Sequence, residues 1–466
     1  MTEQIKKTLR DSSTARWTAL ILLASMMFFS YMFVDVISPL KTMIEESLNW
    51  NSSIYGTVVG SEYFLNVFAF FLIFAGIILD KMGIRFTAML SAVVMVAGAA
   101  IKYYAISDYF VGSGMETFLN SFIPSFPASA KLACVGFAIF GCGVEMAGIM
   151  VSKAIVKWFT GKELAMAMGI EMAIARFGVF AVFRLSPRIA EHFESISAPV
   201  LFSLLLLLIG LITFGVFCVM DKKLDKQIGE MNLEPEEPFK ISDIGKLFTS
   251  KTFLIVAGLC VLYYSAIFPF QKFAANMLEN RLHINSTEAS DIFSWLPIGA
   301  MVLTPLLGLF LDRIGKGASM LIAGAILMCG CHLIFALTPA DLFTTGVSYS
   351  AIVLLGISFS LVPAALWPSV PKLVENRYLG SAYSVIFWIQ NIGLWVFPLL
   401  IGVALDAANP GVSEARQAGE SATYNYTVPM LIFASLGVLA FLLGLWLKAE
   451  DKKKGYGLEM PNIKVI

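Results

Sequence analysis

The chain has 466 residues, 58% of them hydrophobic and only 14% charged, with 33 basic against 33 acidic side chains. A soluble domain carries about 25% charged residues, so this composition excludes a soluble globular protein and places the chain in a bilayer. Zero net charge offers no basic surface to nucleic acid, and no His or Cys cluster at metal-ligand spacing calls for a metal or cofactor.

The basic leader "KKTLRDSSTAR" runs into an apolar stretch without a small-residue cleavage site, so no cleavable signal peptide is expected. A membrane-crossing helix needs about 20 mostly apolar residues. Six such runs lie near 17–39, 53–79, 86–107, 129–152, 164–187 and 197–219. Six more lie near 252–272, 289–311, 318–338, 347–370, 379–404 and 427–447. The charged, proline-bearing stretch "DKKLDKQIGEMNLEPEEPFKISDIGK" separates them. The expected fold is an all-α integral membrane protein: a six-helix bundle over 1–219, a linker over 220–251, and a second bundle with its tail over 252–466. Cys134, Cys142, Cys218, Cys260, Cys329 and Cys331 fall in apolar runs and read as small core residues.

Basic residues set the orientation. With the N-terminus inside, cytoplasmic segments collect Lys6, Lys7, Arg10, Lys81, Arg85, Lys153, Lys157, Lys222, Lys223, Arg313, Lys316, Lys372 and a lysine-rich C-terminus. The opposite loops hold only Lys41, Lys131, Arg184, Arg188, Lys272, Arg281 and Arg416. The positive-inside rule then puts both termini in the cytoplasm.

The halves carry an internal repeat. "GIILDKMGIR" (76–85) closes the second span and "GLFLDRIGKG" (308–317) the eighth. Both read Gly-x-x-x-Asp-Lys/Arg-x-Gly, through Gly76, Asp80, Lys81, Gly83 and Arg85, and through Gly308, Asp312, Arg313, Gly315 and Lys316. Further on, 155–178 can be laid over 370–393 without gaps. A duplicated six-helix unit is the architecture of many secondary transporters. In such a loop the glycine would let two helices approach closely. The charges would pair across the bundle interface when the cytoplasmic side is closed and part when it opens. A solvated turn with topology-setting lysines is the plainer reading.

The fifth span contains "GIEMAIARFG" (169–178), with Glu171 and Arg176 where lipid would penalise both. An intramembrane charge costs roughly 2.5 kcal/mol or more and marks a functional site by default. Glu145 in "GCGVEMAG" is a third such charge.

The paired loop motif resembles the signature of the major facilitator superfamily, along essentially the whole chain. "WFTGKELAMAMGIEMAIARFG" (158–178), "YYSAIFPF" (263–270), "ALWP" (365–368), "GSAYS" (380–384), "IQNIGLW" (389–395) and "LD" (405–406) resemble, within it, the lysosomal dipeptide transporter branch. The resemblance implies uniport of dipeptides. It also implies that a glutamate on the fourth helix and an arginine on the fifth, at Glu145 and Arg176, engage the ends of the peptide. A dipeptide is a zwitterion, so one anion for its ammonium and one cation for its carboxylate make a fitting dry site, and arginine can grip a carboxylate bidentately. The alternative is a structural Glu–Arg pair between helices four and five.

Glu171 stands where the relatives carry an uncharged amide, and Glu62 is an addition, whereas Asp35 matches an acidic position. Buried carboxylates can carry protons, so protons are a candidate second cargo, and Asp35 and Glu62 alternatively snorkel to the outer interface. Asn391 occupies the repeat position of Arg176, beside Gln390 and Trp388. These three suit a peptide backbone or interhelical hydrogen bonds. Tyr263, Tyr264, Phe268 and Trp367 could wall the cavity or simply pack, and His332 reads as structural.

The sequence therefore predicts a non-enzymatic transporter of twelve helices working by alternating access: a monomer in membrane lipid, with no cofactor and no nucleic-acid partner. A proton-coupled carrier of organic anions is the runner-up, and a non-transporting sensor or scaffold the rival from another class. The absence of a dileucine-type tail signal points to a bacterial inner membrane; a eukaryotic chain of this kind would sit in the lysosomal membrane. "NSS" (51–53), "NST" (285–287) and "NYT" (425–427) fit the glycosylation sequon.

Overall fold

The computed structural model describes residues 8–159, 162–228, 247–375 and 379–461, and they are helical throughout the membrane region. Among the described residues eleven helices are long and apolar enough to cross a bilayer. The twelfth expected crossing lies between residues 52 and 106. There the second span is assembled from α3 (Ser52–Gly60), a 3-10 turn (Ser61–Tyr63) and α4 (Phe64–Phe68), then breaks at Phe70, whose φ is 51°. It continues into α5 (Phe71–Ile106), within which Gly83 (φ 80°, ψ 173°) turns the chain back as the third span. No piece of the second span reaches the length of a crossing by itself.

The other crossings are continuous. In the N-terminal bundle they are α1 (Ser13–Val34), α7 (Ala128–Phe159), α8 (Leu164–Phe193) and α9 (Ala198–Ile228), with short α2 (Lys41–Leu48) and α6 (Gly114–Asn120) between them. In the C-terminal bundle they are α10 (Lys251–Leu282), α12 (Trp295–Ile314), α13 (Gly317–Leu337), α14 (Thr345–Leu373), α15 (Leu379–Ala408) and α17 (Thr427–Lys454), with short α11 (Ser286–Phe293) and α16 (Val412–Gln417). Helix α9 runs past the expected bundle boundary at 219, and residues 229–246 of the expected linker lie outside the described residues.

Local chemistry explains many ends. Ser12, Asn51, Asn285 and Thr344 each accept a backbone N–H of the first helical turn, satisfying donors that a helix start leaves orphaned. Asn51 and Asn285 are sequon asparagines, and the third, Asn425, accepts from Thr427 N at 2.9 Å. The sequon pattern thus coincides with capping chemistry.

An even number of crossings returns the chain to the face where it began, here called the termini face. The described hydrogen bonds and ion pairs between the bundles fall from the membrane centre to the opposite, distal face. Helix packing there is backbone-close: a Cβ on Gly56 would sit 2.2 Å from Pro398 O, and one on Gly402 2.1 Å from Ser52 O. Asp406 on α15 closes the same seam. Its carboxylate accepts from Ser52 N (3.0 Å) and Ser53 N (2.7 Å), capping α3 across the interface.

Candidate functional site

Arg176 projects from α8 into an aromatic cage, its guanidinium carbon 4.9 Å from the Phe359 ring centre, 5.3 Å from Phe268 and 5.8 Å from Tyr31. The rings belong to α14, α10 and α1, so the cation lies where both bundles meet. A guanidinium over ring faces keeps a favourable electrostatic partner without surrendering its donors. Among the described residues no carboxylate lies within ion-pair distance of it, so the structural Glu145–Arg176 pair does not form in this arrangement.

Glu145 on α7 lies opposite the side-chain amide of Asn391 on α15, whose Nδ2 is buried with no hydrogen-bond partner among the described residues. Tyr31 lies within electrostatic range of Arg176, Glu171, Glu145 and Glu62 together. Arg176 also acts on Glu171, which is half-buried on the same helix. Tyr264 completes the wall, stacking on Phe268 at 5.5 Å and accepting from Trp367 Nε1 at 3.1 Å. Trp367 in turn stacks on Phe387.

Four expected contributors are occupied elsewhere. Tyr263 is buried in the C-terminal bundle, its hydroxyl donating to Leu321 O. Gln390 is buried beside α10, accepting from Cys260 Sγ at 3.3 Å. Trp388 stacks on Phe70 and donates Nε1 to Val67 O at 3.0 Å, filling the acceptor freed where the second span breaks. Asp35 neither faces the cage nor snorkels. Buried at the distal end of α1, it accepts from Lys272 Nζ (2.9 Å), Gln271 Nε2 (2.5 Å) and Ser38 Oγ (3.0 Å). Lys272 and Gln271 belong to the other bundle, so this ion pair is a latch. Glu62 does not reach an interface either; it is buried near the latch. His332 is packed between Phe270 and Phe433, with Nε2 3.1 Å from Ala266 O.

Sequence reasoning missed Tyr31, Phe359 and a second latch. Buried Glu45 on α2 takes Ser413 Oγ at 2.7 Å, the Tyr424 hydroxyl, and Arg416 at 3.7 Å, all from the C-terminal bundle. Arg184 and Arg188 on α8 reach Asp291 on α11.

At the termini face the described ion pairs of the loop motifs stay within their own bundles. Asp80 pairs with Lys153 at 2.6 Å, and Arg85 with Asp225 and Asp221 at 2.5 and 3.3 Å. Lys157 also pairs with Asp221, while its repeat counterpart Lys372 donates to Gly457 O at 3.0 Å. Lys316 lies 3.9 Å from Glu459, and Lys81 and Arg313 are exposed. Gly83 and Gly315 share φ near +80°, a region where only glycine is unstrained, so both are turn formers. Gly76 and Gly308 differ from expectation: among the described residues nothing lies within 4 Å of a Cβ at either position. The close approach expected there is absent, because the described inter-bundle contacts are at the other end.

The Major Facilitator Superfamily matches residues 23–398 and 272–460. The lysosomal dipeptide transporter MFSD1 of Mus musculus is 28% identical over 402 residues, covering 84% of this chain and 80% of that protein. The Gallus gallus protein of that name is 31% identical over 281 residues, covering 58% and 62%. Among solved structures, a bacterial homologue of the human lysosomal transporter Spinster, inward-facing and unoccupied, superposes with TM-score 0.70 at 14% identity, over 95% of this chain and 98% of that one. The D323A mutant of nucleoside transporter NupG gives 0.67 at 14%, over 92% and 99%.

Proposed function

The chain belongs to the major facilitator superfamily, a family of transporters rather than enzymes, and we propose that it carries dipeptides by alternating access. Arg176 would hold the peptide carboxylate and Glu145 the ammonium. The observation that carries this reading is an arginine at the bundle interface, caged by rings and free of any described carboxylate partner. Such a cation is costly in a dry site unless a ligand anion meets it. Glu145, opposite Asn391, supplies the complementary charge, and Tyr31 stands within range of both. The relatives named as dipeptide transporters support the substrate class. The excess of basic residues on the termini face supports cytoplasmic termini; on that reading the latched distal face is the outside and the arrangement is inward-open. A monomer in a bacterial inner membrane is the corresponding setting.

The test is thermal stabilisation of the purified protein, because a ligand of the native state raises apparent stability by mass action. Free dipeptides should stabilise in a dose-dependent way, and simple carboxylic acids without an amine should not. The reverse order would favour the organic-anion carrier. Stabilisation by dipeptides without counterflow in liposomes would instead leave a sensor.

A further inference from the structure

Residues 107–127 join the third and fourth spans at the distal face, and their surface is not that of a loop in water. The segment holds Asp108 and Glu116 but no lysine or arginine. Tyr109, Val111, Met115, Phe118, Phe122 and Ile123 are between 42% and 78% exposed. A single exposed apolar side chain needs no explanation, but a contiguous patch marks an interaction surface.

The loop is built to hold that patch outward. Phe110 N donates to Ser107 O at 3.0 Å, and Ser113 N to Phe110 O at 3.1 Å. Ser113 caps α6, its Oγ accepting from Glu116 N at 3.1 Å, while the Glu116 carboxylate accepts from Gly112 N at 2.6 Å. Carbonyls at the other end of α6 meet a cation: Lys131 Nζ on α7 donates to Leu119 O at 2.6 Å and to Phe122 O. The same ammonium lies 4.8 Å from the Phe122 ring centre, and Phe118 meets Phe122 edge-on at 5.7 Å. On the inner side, Ser107, Glu116 and Asn120 share a cavity of about 300 Å³ with Ser47 and Asn49 from the end of α2. Polar groups thus turn inward and bond to one another, which is what a backbone in an apolar setting requires.

Lys131 shows what covers the patch. Residues i and i+4 share a helix face, and side chains lean toward the helix N-terminus, which for α7 is the distal end. Lys131 therefore stands one turn above Val135 and reaches distally to the loop. Val135 lies about 10 Å inside the fourth span and is 52% exposed. The bundles are docked at this end, so that exposure is to lipid. Lys131 draws the loop onto the lipid-facing flank of α7, and the bilayer that covers Val135 continues onto the patch.

We propose that residues 107–127 form an interfacial anchor seated in the distal leaflet, with Phe118, Phe122 and Ile123 among the acyl chains. Aromatic side chains favour this depth, where a ring sits between hydrocarbon and headgroups. Lys131, bonded to loop carbonyls, marks the polar boundary in the manner of a snorkelling lysine. The loop brings no cation of its own and the Lys131 ammonium is occupied, so the anchor takes phospholipid by its acyl chains, whatever the headgroup charge. This surface is independent of the solute carried.

The experiment places a spin label on the full chain in phosphatidylcholine vesicles, through Phe118→Cys, Phe122→Cys or Asp108→Cys, with the half-buried native cysteines replaced by serine. Collision with oxygen, which concentrates in lipid, is compared with collision with a water-soluble nickel chelate. The oxygen-to-nickel ratio should be several-fold higher at 118 and 122 than at 108, and unchanged when an anionic phospholipid is added. Nickel reaching 118 and 122 as readily as 108 means a solvated loop and overturns the anchor. Shielding of 118 and 122 from both reagents means a cover of protein, a second copy of this chain, and also overturns it. A rise in the ratio only with anionic lipid overturns the acyl-chain assignment. A second measurement avoids the labelled variants: p-benzoylphenylalanine in place of Phe122, photolysed in cell membranes, should give phospholipid adducts by mass, and adducts to another protein alone would overturn the proposal.

Discussion

Arg176 is the residue on which the most chemistry converges, and its neighbours make its role testable by substitution at both ends of the ligand. A planar fork above three rings can grip a carboxylate with two parallel hydrogen bonds, whereas a lysine ammonium reaches only as a point charge. Arg176→Ala should weaken binding of free dipeptides by about a hundredfold and Arg176→Lys nearly as much, since a lost charge-assisted bond costs roughly 1.5–3 kcal/mol. Glu145→Gln should fail on free amines but lose little further on N-acetylated peptides. The check is a binding cycle of each variant against free, acetylated and amidated dipeptides; additive losses throughout it would mean that the peptide ends do not meet these residues. Glu145 and Arg176 were legible in the sequence because a charge in an apolar helix is expensive and therefore conspicuous. Tyr31 and Phe359 were not, since an aromatic residue in a membrane helix looks the same whether it packs or lines a cavity. Neighbouring positions on one helix also point about 100° apart. That is why Tyr264 joins the cage while Tyr263 is turned into the bundle core, and why Asn391 faces Glu145 while Gln390 is buried against Cys260.

At the scale of elements, the repeat made the two motif turns readable, and Gly83 and Gly315 both take φ near +80°. The break of the second span was unreadable: no glycine or proline marks Phe70, and its cost is met by Trp388, more than 300 positions away, donating to Val67 O. The Asp80–Lys153 bridge is exposed, a class of interaction that contributes about 0–1 kcal/mol. Asp80→Asn should therefore leave stability and Ala-Ala affinity nearly unchanged, yet slow counterflow several-fold through the balance of conformations. Loss of affinity with unaltered distances between labelled bundles would refute that. The distal seam makes the complementary prediction. Gly402 meets Ser52 O at a distance no Cβ can share, so Gly402→Val should prevent distal closure. A cysteine placed in the cage should then react with an impermeant thiol reagent from the distal side in that variant and hardly at all in the parent protein.

Across the molecule as a whole, the described buried polar contacts between bundles are concentrated at the distal face, and their chemistry determines how firmly that face is shut. The sequence showed each latch residue only as an isolated charge, because Asp35 and Lys272, or Glu45 and Arg416, meet only when two bundles formed by distant stretches of chain dock. Removing one member of a buried pair leaves its partner uncompensated and costs about 3–5 kcal/mol. Glu45 is such a member: its carboxylate joins Arg416, Ser413 and Tyr424 from the other bundle, while Lys41 from its own helix turn lies 3.6 Å away. Glu45→Gln should act on the docking of the bundles more than on either bundle, because none of the C-terminal groups it binds is needed to fold the N-terminal helices. Moving a two-state balance from mostly shut to mostly open takes about 5.5 kcal/mol. Half of that reaches parity, so the single substitution should bring the distal-open population at least level with the distal-closed one. Double labels placed across the seam, read by pulsed electron spin distances, should show a second, longer population in Glu45→Gln at unchanged thermal stability. A single short distance together with a lowered melting temperature would mean that Glu45 holds its own bundle together and is not part of a latch.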